Sequence, residues 1–181
     1  GSHIHRTRAY VQLLAETLVG KGQYHDILTP EYIVLLWKSA PLHDIGKIGI
    51  PDAILHKPGK LDADEWEIMK THAELGANAI ALAEADAEKP VGFLKLAKEI
   101  AHHHHEKWDG SGYPGGLVGD AIPVSARLMA LADVFDALIC ARVYKPAFSF
   151  EDAHRIILEG RGTHFDPDVV DAFIREFSRF Q

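Results

Sequence analysis

Apolar residues recur at spacings of three and four along almost the whole chain, with almost no alternation at the period of two that a half-buried strand requires. That pattern restricts the chain to an all-α fold. Its 181 residues suit one domain, residues 1–181, long enough to bury a full core. No internal repeat, low-complexity tract or linker interrupts it.

The first helix is expected from near Ile4, burying Ile4, Val11, Leu14, Ala15 and Leu18 and ending at Gly20 and Gly22. Thr29-Pro30-Glu31 reads as a helix start, with a capping hydroxyl, proline at the first position and an acid in the first turn. The apolar helix beyond it runs up to His43-Asp44 and is expected to stop at Gly46. From Gly46 to Lys60 the glycines and prolines predict a loop with one short helical turn. Asp62 and Glu65 form a capping-box pair that opens a helix through Trp66, Met69, His72, Gly76 and Ile80. Pro90 opens the next, through Phe93, Leu96 and Ile100 into His102-His103-His104-His105-Glu106.

Residues 108–116 hold four glycines and a proline and cannot be helical. A long helix follows Pro123, with Leu128, Leu131, Ala132, Phe135, Leu138 and Ile139 as its apolar face and Asp133 and Asp136 set inside that run. Ser149 with Asp152 caps a further helix, and Asp166-Pro167 starts the last. There Phe165, Val169, Phe173, Ile174, Phe177 and Phe180 make an amphipathic stripe that reads as core.

Histidine and aspartate carry the chemistry. In the adjacent pair His43-Asp44, the imidazole offers one metal a neutral nitrogen, and the two carboxylate oxygens can bridge to a second. The dipeptide alone is weak, as is a run of four histidines, which is usually a solvated turn. Further donors stand on separate helices: His3, His72, His104, His105 and Asp133. Asp133 is the most telling, because a carboxylate among Leu131, Ala132, Val134 and Phe135 costs several kcal/mol to bury unless paired or metal-bound. Asp136, one turn later, reads as its polar neighbour. A donor set of nitrogen and oxygen without thiolate favours six-coordinate iron, manganese or nickel over structural zinc.

A net charge of −7 argues against non-specific binding to long nucleic acid or acidic membrane. Two divalent ions held by two carboxylates would nevertheless leave a local charge of about +2, which suits a phosphate substrate. No apolar run approaches the length of a membrane span, no signal peptide is present, and the single Cys140 fits a reducing cytoplasm. Gly1-Ser2 reads as a cloning scar, so the chain is expected to be a piece of something longer.

His43-Asp44-Ile45-Gly46-Lys47, followed by His104-His105-Glu106 and Asp109-Gly110-Ser111-Gly112-Tyr113-Pro114, resembles the HD-GYP domain of bacterial signalling proteins. The match extends over His3-Ile4-x-Arg6-Thr7, Ile50-Pro51-Asp52, Lys57-Pro58-Gly59-Lys60-Leu61, 132–138 and His164-Phe165-Asp166-Pro167, essentially the whole chain. Because Ile4, Arg6 and Thr7 continue the pattern, His3 counts as native.

The resemblance implies an all-α HD-superfamily bundle of seven or eight helices with a bi- or trinuclear metal centre. It implies a bacterial cytoplasmic phosphodiesterase that opens cyclic di-GMP to pGpG, and often on to GMP, by two-metal hydroxide attack. One metal would take His3, His43, Asp44 and Asp133; the second would take His72, His104 and His105, with Asp44 bridging. Lys47 matches a lysine near the substrate phosphate, and Arg142 and Lys145 match basic residues that bind the phosphodiester. Tyr113 is expected beside a guanine, in a mobile loop from Asp109 to Gly116 that could equally be a rigid connector.

Two departures stand out. The family's glutamate four positions before the first histidine falls before residue 1, and Ala141-Arg142-Val143-Tyr144-Lys145 replaces Asp-Arg-Pro-Tyr-Lys. Expected partners are the cyclic dinucleotide, an N-terminal receiver or sensor domain, and GGDEF-domain proteins. The alternatives are hydrolysis of another nucleotide, such as pGpG or cyclic GMP-AMP, and a low-activity sensing or interaction module.

Overall fold

The computed structural model describes residues 1–142 and 144–181. The helix at its centre is α7 (Val124–Ile139), whose first nine residues are all buried. A helix apolar on one face only would leave a stripe to water; burial all round means neighbours on every side. Those neighbours are α1 (Ser2–Gly20), α2 (Pro30–Ser39), α6 (Gly92–His103), α8 (Phe150–Glu159) and α9 (Pro167–Arg175). Phe135 anchors their shared core, with Tyr10, Phe173 and Phe180 rings at 5.2–5.7 Å from its own. Offset and edge-on aromatic contacts at that separation add to the burial of the rings themselves.

Two short helices, α3 (Asp52–Leu55) and α4 (Ala63–Lys70), and the longer α5 (His72–Asp86) lie between α2 and α6. There is no sheet among the described residues, only isolated bridges, including Asp109 with Val118 and Arg142 with Lys145. The all-α architecture is as expected, and counting α3 as a turn and α4–α5 as one bent helix gives seven helices among the described residues. The expected caps form: Thr29 Oγ1 accepts from the Tyr32 amide, Asp62 and Glu65 make a full capping box, and Ser149 accepts from Asp152.

Four expectations change. Ile4 is exposed rather than buried: it lies on the buried face of α1 but in its first turn, before burial begins at Thr7. The helix before His43 ends at Ser39, not at Gly46: Pro41 brings no amide hydrogen, and the chain tightens into 3₁₀ turns at Ala40–Leu42 and Ile45–Gly49. Gly46 has another purpose. A Cβ there would sit 1.9 Å from the His72 carbonyl oxygen and 2.5 Å from the Gly76 amide, so only glycine lets this turn lie against α5. The helix expected from Asp62 bends at Thr71, whose hydroxyl donates to the Ile68 carbonyl, and His72 begins the second segment. The last helix ends at Arg175, leaving Ile174 exposed and Phe177 in a 3₁₀ turn.

Candidate metal centre

The turn held against α5 carries His43 and Asp44 to the open end of the bundle. His43 Nδ1 donates to the Ala40 carbonyl at 2.8 Å, His72 Nδ1 to Met69 at 2.7 Å and His104 Nδ1 to Ile100 at 2.9 Å. Each bond uses a carbonyl three or four residues back, and the Ala40 and Ile100 carbonyls also accept from the backbone amides of His43 and His104. Each also fixes the tautomer, leaving the Nε2 lone pair directed inward. Around Asp44 these nitrogens converge: His72 and His104 Nε2 lie 3.5 and 3.4 Å from Asp44 Oδ1, and His43 Nε2 lies 3.3 Å from Asp44 Oδ2.

Two sets of donors result, each within 4.8 Å internally: Asp44, His72, His104 and His105, and His3, His43, Asp44 and Asp133. Asp44 belongs to both. In the first set, His72 Nε2 and His105 Nε2 stand 3.1 Å apart. In the second, Asp133 Oδ1 lies 3.5 Å from His43 Nε2 and 3.6 Å from His3 Nε2. Of the two acids in α7, Asp133 keeps 22% of its side chain exposed toward the centre, whereas Asp136 keeps 2%. Asp136 is the more deeply buried carboxylate and more than a polar neighbour. It accepts from His3 Nδ1 at 2.5 Å and from Arg6 Nε at 2.5 Å, and so aims His3 at the centre.

The donors fit a metal. His43 Nε2, His104 Nε2 and Asp44 Oδ1 are buried with no hydrogen-bond partner, a costly arrangement unless a cation satisfies them. Burial opposes charge on Asp44, but the close imidazoles of His104, His43 and His72 hold it well below the carboxylate range. Burial likewise opposes charge on Asp133, and His43 brings it down to about 2. His105 is pushed down to about 2 by burial and then by His104 and His72, so its imidazole is neutral and offers a free nitrogen. Burial disfavours a proton on His43, yet Asp133 and Asp44 overcome it and raise the group to about 10. A positive charge is what these carboxylates require at that point, and a metal ion supplies one.

A cavity of about 610 Å³ opens over both sets. Lys47 lines it and donates from Nζ to Asp44 Oδ2 at 2.8 Å; Arg142 lines it too. Lys145 does not line it: its Nζ lies 4.8 Å from the Phe148 ring, on the exposed side of the same bridge. Val143, which stands where the family pattern has proline, lies outside the described residues. Tyr113 stacks on His105 with centroids 4.9 Å apart and meets the edge of Trp66 at 5.9 Å.

The Gly-Tyr-Pro loop is clasped from beneath. The buried Glu106 carboxylate accepts from the Gly115 and Leu117 amides at 2.7 and 3.1 Å. Nothing in the sequence beyond its place after His105 marked Glu106 as the clasp. Gly112 approaches so closely that a Cβ would meet the Lys107 amide nitrogen at 2.3 Å.

A helical bundle that gathers five imidazoles and two carboxylates around one shared aspartate, at the floor of an open cavity, defines a protein with a histidine–aspartate centre fit for metal. Residues 30–169 match the HD domain family. The chain belongs to that family, on its HD-GYP branch. It is 60% identical over 180 residues to a cyclic di-GMP phosphodiesterase of Vibrio cholerae, covering 99% of this chain and 36% of the relative. It is 42% identical over 180 residues to the 3′3′-cGAMP-specific phosphodiesterase 2 of the same organism, covering 99% of this chain and 32% of that relative. The chain thus spans about a third of the length of these relatives. A crystal structure of a cyclic GMP-AMP-specific phosphodiesterase from V. cholerae shares the fold, with a TM-score of 0.68 at 20% identity over 98% of this chain and 44% of that one. No helix among the described residues is long and apolar enough to cross a membrane.

Proposed function

We propose that this chain, as a single domain over residues 1–181, is a metal-dependent phosphodiesterase that hydrolyses cyclic di-GMP. The observation that carries the reading is the sharing of Asp44 by two four-donor sets at the floor of a cavity with Lys47 and Arg142 on its walls. Two divalent ions, one per set, fit the donor count, and the absence of thiolate favours iron, manganese or nickel. When bound, such ions lower the pKa of water and neutralise phosphoryl oxygens.

The protein's own groups supply the rest. Lys47, fixed against Asp44, is placed to offset charge growing on the phosphorus and to pass a proton to the departing 3′ oxygen. Arg142 holds a non-bridging phosphate oxygen, with Lys145 as an outer contact. Tyr113, backed by His105, presents a ring to a guanine. The relatives' greater length leaves room for a sensor or receiver domain in the same polypeptide, and one relative is named a response regulator; GGDEF-domain partners and a bacterial cytoplasmic setting complete the reading.

The test is product chromatography after loading the protein separately with iron, manganese and nickel, beside elemental analysis. Linear pGpG or GMP from cyclic di-GMP, with two ions per chain, is expected. Preferential turnover of 3′3′-cyclic GMP-AMP would reassign the substrate, and no product from either dinucleotide with any metal would overturn the reading.

A further inference from the structure

A second cavity, of about 420 Å³, lies behind the first. The two share Trp66, His105, Tyr113 and Asp133, so a thin aromatic partition separates them and the donor sets are reached from both sides. The far wall of this second chamber carries Lys107, Lys70 and His164, none of which the hydrolysis of the cyclic substrate needs.

That wall is built rather than incidental. The Trp108 amide donates to the His164 carbonyl at 3.0 Å and the Asp109 amide to Thr163 at 2.9 Å, which fastens the Lys107 segment to the 163–164 loop. The close seating of Gly112 on the Lys107 backbone fixes the same segment from the other side. Lys107 is half-buried, and its ammonium has no hydrogen-bond or ion-pair partner among the described residues. Lys70 is half-buried too, sharing its charge with the exposed Glu67 at 2.7 Å. His164 is kept neutral, down to about 4, by burial and then by Lys107. Asp133, which also faces the first donor set, is the one carboxylate lining the chamber.

A half-buried cation with no partner beside a phosphodiesterase centre calls for a phosphate. Cyclic di-GMP has two diesters, and opening one leaves a new group. Water's oxygen bonds to phosphorus, the bond from phosphorus to the 3′ oxygen breaks, one water proton ends on that oxygen and the other goes to solvent. The linear product carries a 5′-phosphomonoester with a charge of about −1.5 to −2, where each diester carried a single charge.

We propose that the second chamber is a phosphomonoester subsite. It takes the terminal 5′-phosphate of the linear dinucleotide on Lys107, assisted by Lys70 and His164, while the remaining internal diester lies over the Asp44-centred donors. A free chain end can pass the Tyr113 partition in a way that a closed ring does not. The inference rests on the phosphodiesterase reading and adds to it a second, separately bound round of hydrolysis.

The experiment compares pGpG with GpG, which lacks only the terminal phosphate, in the unmodified protein, Lys107→Ala and Lys107→Arg, with metal content and melting temperature recorded for each. The unmodified protein is expected to favour pGpG over GpG by about tenfold or more in kcat/KM, through KM, as one charge-assisted hydrogen bond allows. Lys107→Ala should erase most of that ratio and Lys107→Arg should keep most of it. In time courses with cyclic di-GMP, Lys107→Ala should accumulate pGpG. An unchanged ratio in Lys107→Ala, an equal loss on pGpG and GpG, or cleavage of cyclic di-GMP with neither linear substrate accepted would overturn the subsite alone. Failure to cleave cyclic di-GMP at all would remove the phosphodiesterase reading and the subsite with it.

Discussion

The two donor sets share Asp44 but are held in place by different means. His72 and His104 are 2% exposed or less, and each is locked by a carbonyl three or four residues back in sequence. His3 is 39% exposed, and its orienting partner, Asp136, lies 133 residues away on α7. The first set thus has two imidazoles fixed by local backbone geometry, whereas the second, beside the locally fixed His43, depends on tertiary packing between α1 and α7. A site of the first kind is expected to form wherever its helices form, whereas one of the second kind depends on distant elements docking correctly.

The largest test removes what the sets share. Asp44→Ala is expected to strip both ions and bring hydrolysis of cyclic di-GMP to background, since the carboxylate serves both sets while each imidazole serves one. Elemental analysis reads the outcome directly, and two ions retained would show that the sets are independent. Next in size is Gly46→Ala, which drives a methyl into the His72 carbonyl and the Gly76 amide. Overpacking at backbone costs about 1–3 kcal/mol or more, and here it also displaces the turn bearing both His43 and Asp44. A lowered melting temperature with weaker binding at both sites is expected; loss at one site only would mean that the turn is not their common support.

Most of this arrangement could be anticipated from the chain, and the exceptions have one cause. The helices, their caps and the seven candidate donors were legible because periodicity, capping residues and the family pattern are local in sequence. Asp136 was passed over because, three residues from Asp133, it looks like any second acid on a helix; its meaning comes from Arg6 and His3, brought in by folding. Glu106 hides for the same reason, since the amides it holds belong to a loop that doubles back. Gly46 was misread as a helix stop, because a glycine at the end of an apolar run signals a terminus, and close approach to another helix leaves no trace in the local pattern.

A smaller pair of substitutions separates the sets. His72→Ala should lose mainly the ion of the interior set, and His3→Ala mainly that of the set completed by α1, each leaving about one ion per chain. Metal titrations on the two proteins then give the affinity of each remaining site. The interior site, with its carbonyl-locked imidazoles, is expected to be the tighter. The reverse order would break the contrast, since it would show that a long-range carboxylate fixes a ligand better than a helix end does.

The finest test acts on orientation without touching a donor. Asp136→Asn keeps the size of the side chain and an oxygen that can accept from His3 Nδ1, but removes the charge that Arg6 and His3 share. Losing such a partner typically weakens metal affinity by about 10- to 100-fold. The effect should fall on the set containing His3 and leave the interior set unchanged. Arg6 also donates to Cys140 Sγ at 3.0 Å, so Cys140→Ser serves as a control that disturbs the same corner and keeps the carboxylate. Its metal affinities should match those of the unmodified protein. If Asp136→Asn weakens both sites equally, Asp136 supports the bundle as a whole; if it weakens neither, Asp133 and His43 suffice to seat the ion, and the tertiary half of the centre is no more fragile than the local half.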